Sequence, residues 1–577
     1  MVRSVVDPNE KEKERTMTTE KITGETSTKI STTCSRRHFL KGATAAGALA
    51  AFGLAGCAPK AKNEMAATGN APSSAADVAW DEETEVLVVG SGYAGLAAAY
   101  EAAKAGAAVR VIEKHKMAGG NSVYADGQIA VVDSDAQAAA GIEDSIETFM
   151  NDALTAGLNL NYKDKLQLMG EKSNEVFEWT VNEIGVEWAQ DDATGAAQLI
   201  AQGGHTVTRC IPPLENSGAG IVKPLLAKLS ELGVEVETGT QLVALVRDET
   251  GRVVGATVAE GCSDYDPATA SSRTNVKTTR GVVLATGGYG KDVAFRSAQD
   301  PRLDETVGCT NFEGATAHGL KVALDAGVMG MQLDQIQCYP YTSPEEDSFG
   351  CAATWIEAES AYAPTIDPTT GKRFVNELTD RKRFCDAMFE VGTPLLQIGS
   401  VDNVPDWCAE SLENALAAGV TREFSSLEEI ASEFDVPLDG LKAQMDSYNA
   451  CVTAGEDTEF GKLFNPDAKP VVTAPYYVTR AWPKVHHCMG GVKTDIDCRV
   501  IGNDLEPIVG LYGAGEATGG VHGACRLGCN GTLDCLVNGR IAGQQVAALE
   551  PVAQTPARSM RFQPFWVMQR AAPQAYA

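Results

Sequence analysis

Glu85-Val86-Leu87-Val88-Val89 is an apolar run of strand length, and it stops at Gly90. A stretch rich in Ala follows Gly95 and reads as a helix reaching Ala105. Ala108 to Ile112 is a second apolar run, closed by Glu113. Between Val234 and Val258 lie three short β-rich runs, with Asp248-Glu249-Thr250-Gly251 as the turn between the last two. Val282-Val283-Leu284 reads as a further strand running into the small residues Ala285-Thr286-Gly287-Gly288. The texture changes over 309–480, which carries helical patterns such as Leu438 to Val452 and several loops marked by Pro. Strand, helix and strand in that order at the start predict an α/β unit.

The turn between the first strand and helix reads Gly90-Ser91-Gly92-Tyr93-Ala94-Gly95. This is the dinucleotide-binding fingerprint in its required context. Gly90 permits the tight turn. Gly92 lets a pyrophosphate approach the helix N-terminus, where free N–H groups favour an anion. Gly95 lets helix and strand pack closely. Glu113, at the end of the second strand, can accept both ribose hydroxyls and repels a 2′-phosphate. Glycines recur at Gly119-Gly120-Asn121-Ser122, at Gly287-Gly288 and through Gly513-Ala514-Gly515-Glu516, where the backbone can touch an extended cofactor.

The chain has 577 residues, enough for two or more folded units, and its 44% apolar and 22% charged content is that of a soluble globular protein. A formal charge of −29 argues against nucleic acid and against an anionic membrane surface as partners. The charge is uneven: residues 1–56 hold 9 Lys and Arg against 6 Asp and Glu, a net of +3, so the rest carries −32. Ser35-Arg36-Arg37-His38-Phe39-Leu40-Lys41 matches the twin-arginine export pattern, and the apolar stretch Gly42 to Ala55 is too short to span a bilayer permanently. Leu54-Ala55-Gly56-Cys57 reads as a lipoprotein cleavage box with Cys57 lipidated, and 57–80 as a flexible tether. The expected location is therefore extracytoplasmic, held by lipid at the membrane. Residues before Ser35 read either as a long leader or as preceding a start at Met17. None of the 15 Cys forms a C-x-x-C, and none of the 7 His has ligand spacing, so no metal is expected. Cys525 and Cys529 could pair, or stand as buried thiols. No P-loop and no internal repeat occur.

Three segments carry candidate chemistry: Gly371-Lys372-Arg373-Phe374-Val375-Asn376-Glu377-Leu378-Thr379-Asp380-Arg381, Val485-His486-His487-Cys488-Met489-Gly490-Gly491 and Gly523-Ala524-Cys525-Arg526-Leu527-Gly528-Cys529-Asn530. With the fingerprint they resemble the flavoprotein family of fumarate reductases and succinate dehydrogenases over roughly 81–550. The soluble periplasmic branch, which holds fumarate and urocanate reductases, is the nearest likeness. The resemblance implies a Rossmann-like FAD-binding domain of the glutathione-reductase type, in two parts at 81–308 and 481–550. An α+β capping domain at 309–480 is inserted between them, and 551–577 is a tail without counterpart. It implies FAD, held without a covalent bond, because Gly119-Gly120-Asn121-Ser122 has no His at the point of attachment. The implied cofactor contacts are Gly90, Gly92, Tyr93, Ala94, Gly95, Glu113, Lys114, Gly119, Gly120, Asn121, Ser122, Ala285, Thr286, Gly287, Gly288, Gly515 and Glu516.

The same resemblance implies the reaction. Hydride passes from FAD N5 to the β-carbon of an α,β-unsaturated acid, and Arg381 gives a proton to the α-carbon. His487 and Arg526 hold the carboxylate, with His486 structural. Glu357 refills Arg381, but Ser360 stands where the family has a second Arg, so water or Arg383 must substitute. The second carboxylate of fumarate is held in the family by a His and a Thr, which fall here at Tyr339 and Ile356. Without that clamp, and with Trp355 nearby, the expected substrate is an acrylate with a neutral or aromatic β-substituent, of urocanate or cinnamate type, in anaerobic respiration. Tyr339 and Trp355 read equally as core. A separate electron donor, a membrane-linked cytochrome or flavoprotein, is implied, since no haem motif or second flavin unit is present. Two other readings compete: a ketosteroid dehydrogenase of the same fold, which needs no carboxylate-binding Arg, and an exported flavin lipoprotein that only relays electrons.

Overall fold

The computed structural model of the chain describes Ala75 and residues 78–552 except Pro466. The leader, the Cys57 box and nearly all of the tether and tail lie outside the described residues. Within 78–552 the main element is an eight-stranded mixed sheet. Its path runs Arg499–Ile501, Pro507–Gly513, Ser272–Leu284, Glu82–Val89, Val109–Glu113 and Val236–Thr238, and all these neighbours are parallel except the first pair. Thr240–Arg247 and Val253–Glu260 form an antiparallel pair that joins the sheet through Ser272–Leu284. This is the expected α/β class, with the parallel strands of a Rossmann-like domain.

Period two along the first strand divides the core. Val86 and Val88 face one side, with Leu96 and Ala97 of the Tyr93–Lys104 helix. Leu87 and Val89 face the other, with Leu242, Val258 and Leu320. The alanines of the first helix are there for close approach. Helix Asn530–Ala548 packs against it, and a Cβ on Gly539 or Gly543 would sit 2.5 or 2.3 Å from the carbonyl oxygens of Ala94 and Ala98. The strand read from Val282 begins ten residues earlier, at Ser272. Its polar first half pairs with Val253–Glu260 and is partly exposed, so it lacks an apolar run.

A second sheet has five short strands, all antiparallel, in the order Lys372–Arg373, Thr365–Asp367, Leu395–Ser400, Tyr476–Ala481 and Thr421–Phe424. Helix Leu438–Ala454 covers one face through Leu441, Met445 and Tyr448. Beneath it lies a buried ionic cluster. Arg373 donates to Glu377 at 2.7 Å and to Asp457 at 3.0 Å, and Lys462 lies 3.5 Å from Glu377. Burial works against the Asp457 charge, yet the Arg373 guanidinium holds its carboxyl down at about 2. The cluster fixes the segment that ends at Arg381.

Among the described residues, no helix is long and apolar enough to cross a membrane. No group of three or more His, Cys, Asp or Glu is placed there to hold a metal ion. Cys525 and Cys529 are free thiols.

Candidate active site and cofactor cleft

A cleft with roughly 830 Å³ of empty space runs over the carboxyl ends of the parallel strands. Gly90, Gly92, Tyr93, Ala94, Glu113, Lys114, Gly120, Asn121, Ser122, Ala285, Thr286, Gly287, Gly288 and Glu516 line it. Gly95, Gly119 and Gly515 stand behind this lining as spacers. A Cβ on Gly95 would lie 1.9 Å from Gly90 O, and one on Gly515 would meet Ala94 at 2.8 Å. Gly119, at φ +115°, donates its N–H to Ser91 Oγ at 2.9 Å. The acid at the strand end is buried: Glu113 Oε2 accepts from Ser91 N–H and O–H at 3.0 and 2.7 Å, and Oε1 from His115 N–H at 2.9 Å. Tyr93 clasps the next loop, its N–H donating to Ser122 Oγ and its hydroxyl to Ser122 O, both at 3.0 Å. Burial brings the Lys114 ammonium down to about 8. Thr240, Gln241, Leu242, Phe312, His318 and Cys535 also line the cleft. Sequence reading passed over them because they are scattered residues without a motif.

A second cavity, with roughly 560 Å³ of empty space, is lined by Arg381, Arg526, His486, Tyr339, Glu357 and Phe349, with Asp126, Gln128, Gln202, Cys529 and Thr532. The strand Lys484–Cys488 links the two spaces: His486 lines the cavity, while Cys488 N–H donates at 2.9 Å to Glu516 in the cleft wall.

Of the two histidines, His486 lines the cavity, while His487 has a buried Nε2 without a partner. Strand Lys484–Cys488 pairs with Ile336–Tyr339 so that Gln337 opposes His487 and Cys338 opposes Val485. His486 is the extra residue of a bulge, and a bulge re-aims its side chain. His487 instead places Nδ1 3.6 Å from Glu516 Oε1 and its ring 5.5 Å from that of His522. Trp355 is also displaced from its expected place. It lies two residues before Glu357 on helix Ala353–Tyr362, hence on a different face. Its indole is buried in a core cluster with Ala358 and Leu412, donating to Thr479 Oγ1 at 3.2 Å. Ile356 is buried in the core as well.

Arg526 is a buried cation. Its Nη1 donates to Leu527 O at 3.0 Å, its Nη2 lies 3.1 Å from His486 Nε2, and its Nε has no partner. Burial, then the neighbouring Arg381 charge, lower its pKa to about 10. An arginine only donates, so His486 Nε2 accepts, and Nδ1–H donates to Thr310 Oγ1 at 2.8 Å. Burial and then Arg526 and Arg381 push the His486 pKa far below its usual range, so the imidazole is neutral. The charge facing a ligand therefore comes from the arginines.

Arg381 is the first residue of helix Arg381–Val391, capped by Asp380, whose carboxylate accepts from Arg383 N–H at 3.0 Å. Its guanidinium lies 4.6 Å over the Tyr339 ring, and Nη2 is 3.8 Å from Glu357 Oε1. The Tyr339 hydroxyl donates to Glu357 Oε2 at 2.6 Å. Glu357 is 41% exposed, whereas Ser360 is fully buried, bonded to Ile356 O and to Gln397. Arg383 points outward, 64% exposed and paired with Asp380. Asp126 lies in the cavity wall, its carboxyl pushed up by lost solvation and then by the Glu357 charge. It stands four residues past Ser122, and proximity to the Gly119–Ser122 motif was the only signal that could have found it.

A family described as FAD binding domain matches residues 85–532, and a twin-arginine translocation signal matches residues 33–53. The chain is 36% identical over 515 residues to the acrylate reductase flavoprotein subunit of Shewanella woodyi, covering 88% of this chain and 97% of that one. It is 29% identical over 474 residues to urocanate reductase of Eggerthella lenta, covering 81% of this chain and 75% of that one. Among solved structures, the open conformation of a flavocytochrome c3 fumarate reductase matches with a TM-score of 0.66 at 29% identity, over 81% of this chain and 78% of that one. The chain thus belongs to the FAD binding domain family, and it is an FAD-dependent oxidoreductase exported by the twin-arginine pathway. The cleft fits FAD on its own terms. The Ser91 and Tyr93 N–H groups are taken by Glu113 and Ser122, which leaves those of Gly92 and Ala94 at the helix N-terminus for a pyrophosphate, and Glu113 lines the same cleft.

Proposed function

We propose that the protein reduces the C=C bond of an α,β-unsaturated monocarboxylate. The observation that carries this reading is Arg526, buried in the cavity wall with an unpartnered Nε and accompanied by Arg381 and neutral His486. Such a fork suits a carboxylate. Bound FAD, held without a covalent bond in the glycine-lined cleft, supplies the hydride from N5 when reduced. Arg526 binds and polarises the substrate carboxylate, and His486 orients the guanidinium by accepting from Nη2. The negative charge that builds towards the α-carbon is stabilised by the same donors. Arg381 holds a proton for the α-carbon, and Glu357, in contact with Arg381 and 41% exposed, returns that proton from solvent. Buried Ser360 and outward Arg383 take no part.

The rest of the cavity supports a substrate without a second carboxylate. At Tyr339 the phenol is committed to Glu357, and the wall adds Asp126, Gln128 and Gln202. A second carboxylate would meet Glu357 and Asp126 at like charge. Acrylate reductase and urocanate reductase are named for monocarboxylates, the first without a β-substituent and the second with an aromatic one, while the flavocytochrome c3 is named for the dicarboxylate fumarate, so the choice between them rests on the cavity wall. A separate membrane-linked electron donor and a lipid anchor at Cys57 complete the reading of an exported respiratory reductase. The test is an anaerobic panel of acrylate, urocanate, cinnamate and fumarate with reduced viologen as donor. Turnover of a monocarboxylate above fumarate is expected; fumarate as the best substrate, or no turnover of any enoate, rejects it.

A further inference from the structure

The loop that carries Arg526 is tied on both sides of it. Upstream, Ala524 N–H donates to Gly157 O at 3.0 Å, and Arg526 N–H itself donates to Gln337 Oε1 at 2.9 Å. Downstream, Gly528 O lies 2.9 Å from His205 Nε2. The segment that brings His205 there is moulded on the loop. A Cβ on Gly204, at φ +87°, would lie 2.4 Å from Leu527 Cδ2, and one on Gly528 would lie 2.6 Å from Gln202 Oε1. Leu527 is buried with Ala153 and Ala156 of helix Ile146–Ala156.

His205 takes its orientation from an ionic group outside the cavity. Arg209 is fully buried. Its Nε and Nη2 donate to the two Asp144 oxygens, each at 2.9 Å, and Nη1 donates to Asp152 Oδ2 at 2.7 Å. Asp144 also accepts from Gln137 Nε2, and Asp152 from the N–H and O–H of Thr206, so both carboxylates are fixed. A guanidinium is a rigid planar fork, so the second Nη1 proton has a set direction. His205 Nδ1 meets it at 2.8 Å. An arginine only donates, so Nδ1 accepts, and the ring proton sits on Nε2 and is donated to Gly528 O.

We propose that His205 is a positioning residue for Arg526: set by Arg209, it holds the loop at Gly528 so that the guanidinium keeps its place in the cavity wall. The loop needs such a hold. Arg526 shares the cavity with the like charge of Arg381, which works against it. The guanidinium is tied by a carbonyl and a neutral imidazole rather than by a carboxylate. Gly528 is two residues from Arg526, so slack at its carbonyl reaches the guanidinium directly. Small misplacements of a binding group are costly, and the hydrogen bond from His205 prevents one.

The effect on substrate rests on the enoate reading, but the hold on the loop does not, so the two can fail separately. The test uses the FAD-loaded enzyme. His205→Phe keeps an aromatic ring and loses both nitrogens, His205→Ala is a second variant in case the new ring does not fit, and His205→Gln restores an N–H donor. Flavin absorbance and thermal melts show that each variant is folded. Hydrogen exchange of the 523–530 peptide reads the loop whatever the substrate. Exchange there should quicken roughly tenfold in His205→Phe and His205→Ala, the worth of one hydrogen bond, and return towards wild type in His205→Gln. For the enoate that wild type turns over best, kcat/KM should fall roughly tenfold or more, with KM rising more than kcat falls, and His205→Gln should recover it. Reduction of the flavin by viologen without enoate should keep its wild-type rate, which a general loosening of the protein would not allow. Unchanged exchange of 523–530 in both His205→Phe and His205→Ala overturns the hold. Faster exchange with unchanged KM, or no recovery in His205→Gln, overturns the placing of Arg526. If wild type turns over no enoate, the proposed reaction fails, and the exchange data alone decide on the hold.

Discussion

Nη2 of Arg526 lies 3.1 Å from Nε2 of His486, an arrangement that fixes the imidazole as a neutral acceptor, while the guanidinium Nε is buried without a partner. Arg526→Lys keeps a charge but loses the fork. Loss of about 2–5 kcal/mol of carboxylate recognition is expected, which lowers kcat/KM by roughly 30-fold to several thousand-fold. Steady-state kinetics, with the flavin absorbance to confirm retained FAD, checks it.

The bulge at His486 separates two adjacent histidines in position. His486→Ala should raise KM for the enoate by roughly tenfold, through a misdirected Arg526. His487→Ala should raise KM less than His486→Ala does, since His487 Nδ1 lies toward Glu516 and its ring toward His522. Parallel kinetics of the two variants decide between them, and the reverse ranking would restore His487 as the carboxylate ligand.

Arg381→Lys should retain bound FAD and lose about 10²–10⁴-fold in kcat, the range of general acid catalysis. Single-turnover reoxidation of the photoreduced flavin by the enoate measures this step directly.

Asp126→Asn removes a like charge that faces any second carboxylate. The ratio of kcat/KM for fumarate over acrylate should rise several-fold, on the order of 1 kcal/mol for a charge pair in a wet cavity. An unchanged ratio would mean that Asp126 plays no part in selection.

Burial raises the Glu516 carboxyl to about 7. The folded protein then binds a proton that the unfolded chain has released. Stability of the FAD-free protein should fall as pH rises from about 4.5 to 7 and level off above, by on the order of 3 kcal/mol at most. Glu516→Gln should flatten that slope, as thermal melts across pH would show.

The sequence by itself determined the α/β class, the FAD cleft and the export signal, because each is written in contiguous residues. The fingerprint Gly90–Gly95 and the acid Glu113 act through local backbone geometry, and the structure lines the cleft with the Gly92 turn and Glu113. The Arg381 and Arg526 segments were legible in the same way, and both side chains line one cavity. What only the tertiary structure decided was which way side chains face. His486 reaches the cavity because its strand slips by one residue against Ile336–Tyr339, a phase that no single strand encodes. Trp355 and Glu357 part company because two residues on a helix are about 200° apart, and only packing chose which face is core. Asp126 meets Glu357 and Arg381 only through the fold, so the shift of its carboxyl arises from neighbours that the sequence does not place beside it.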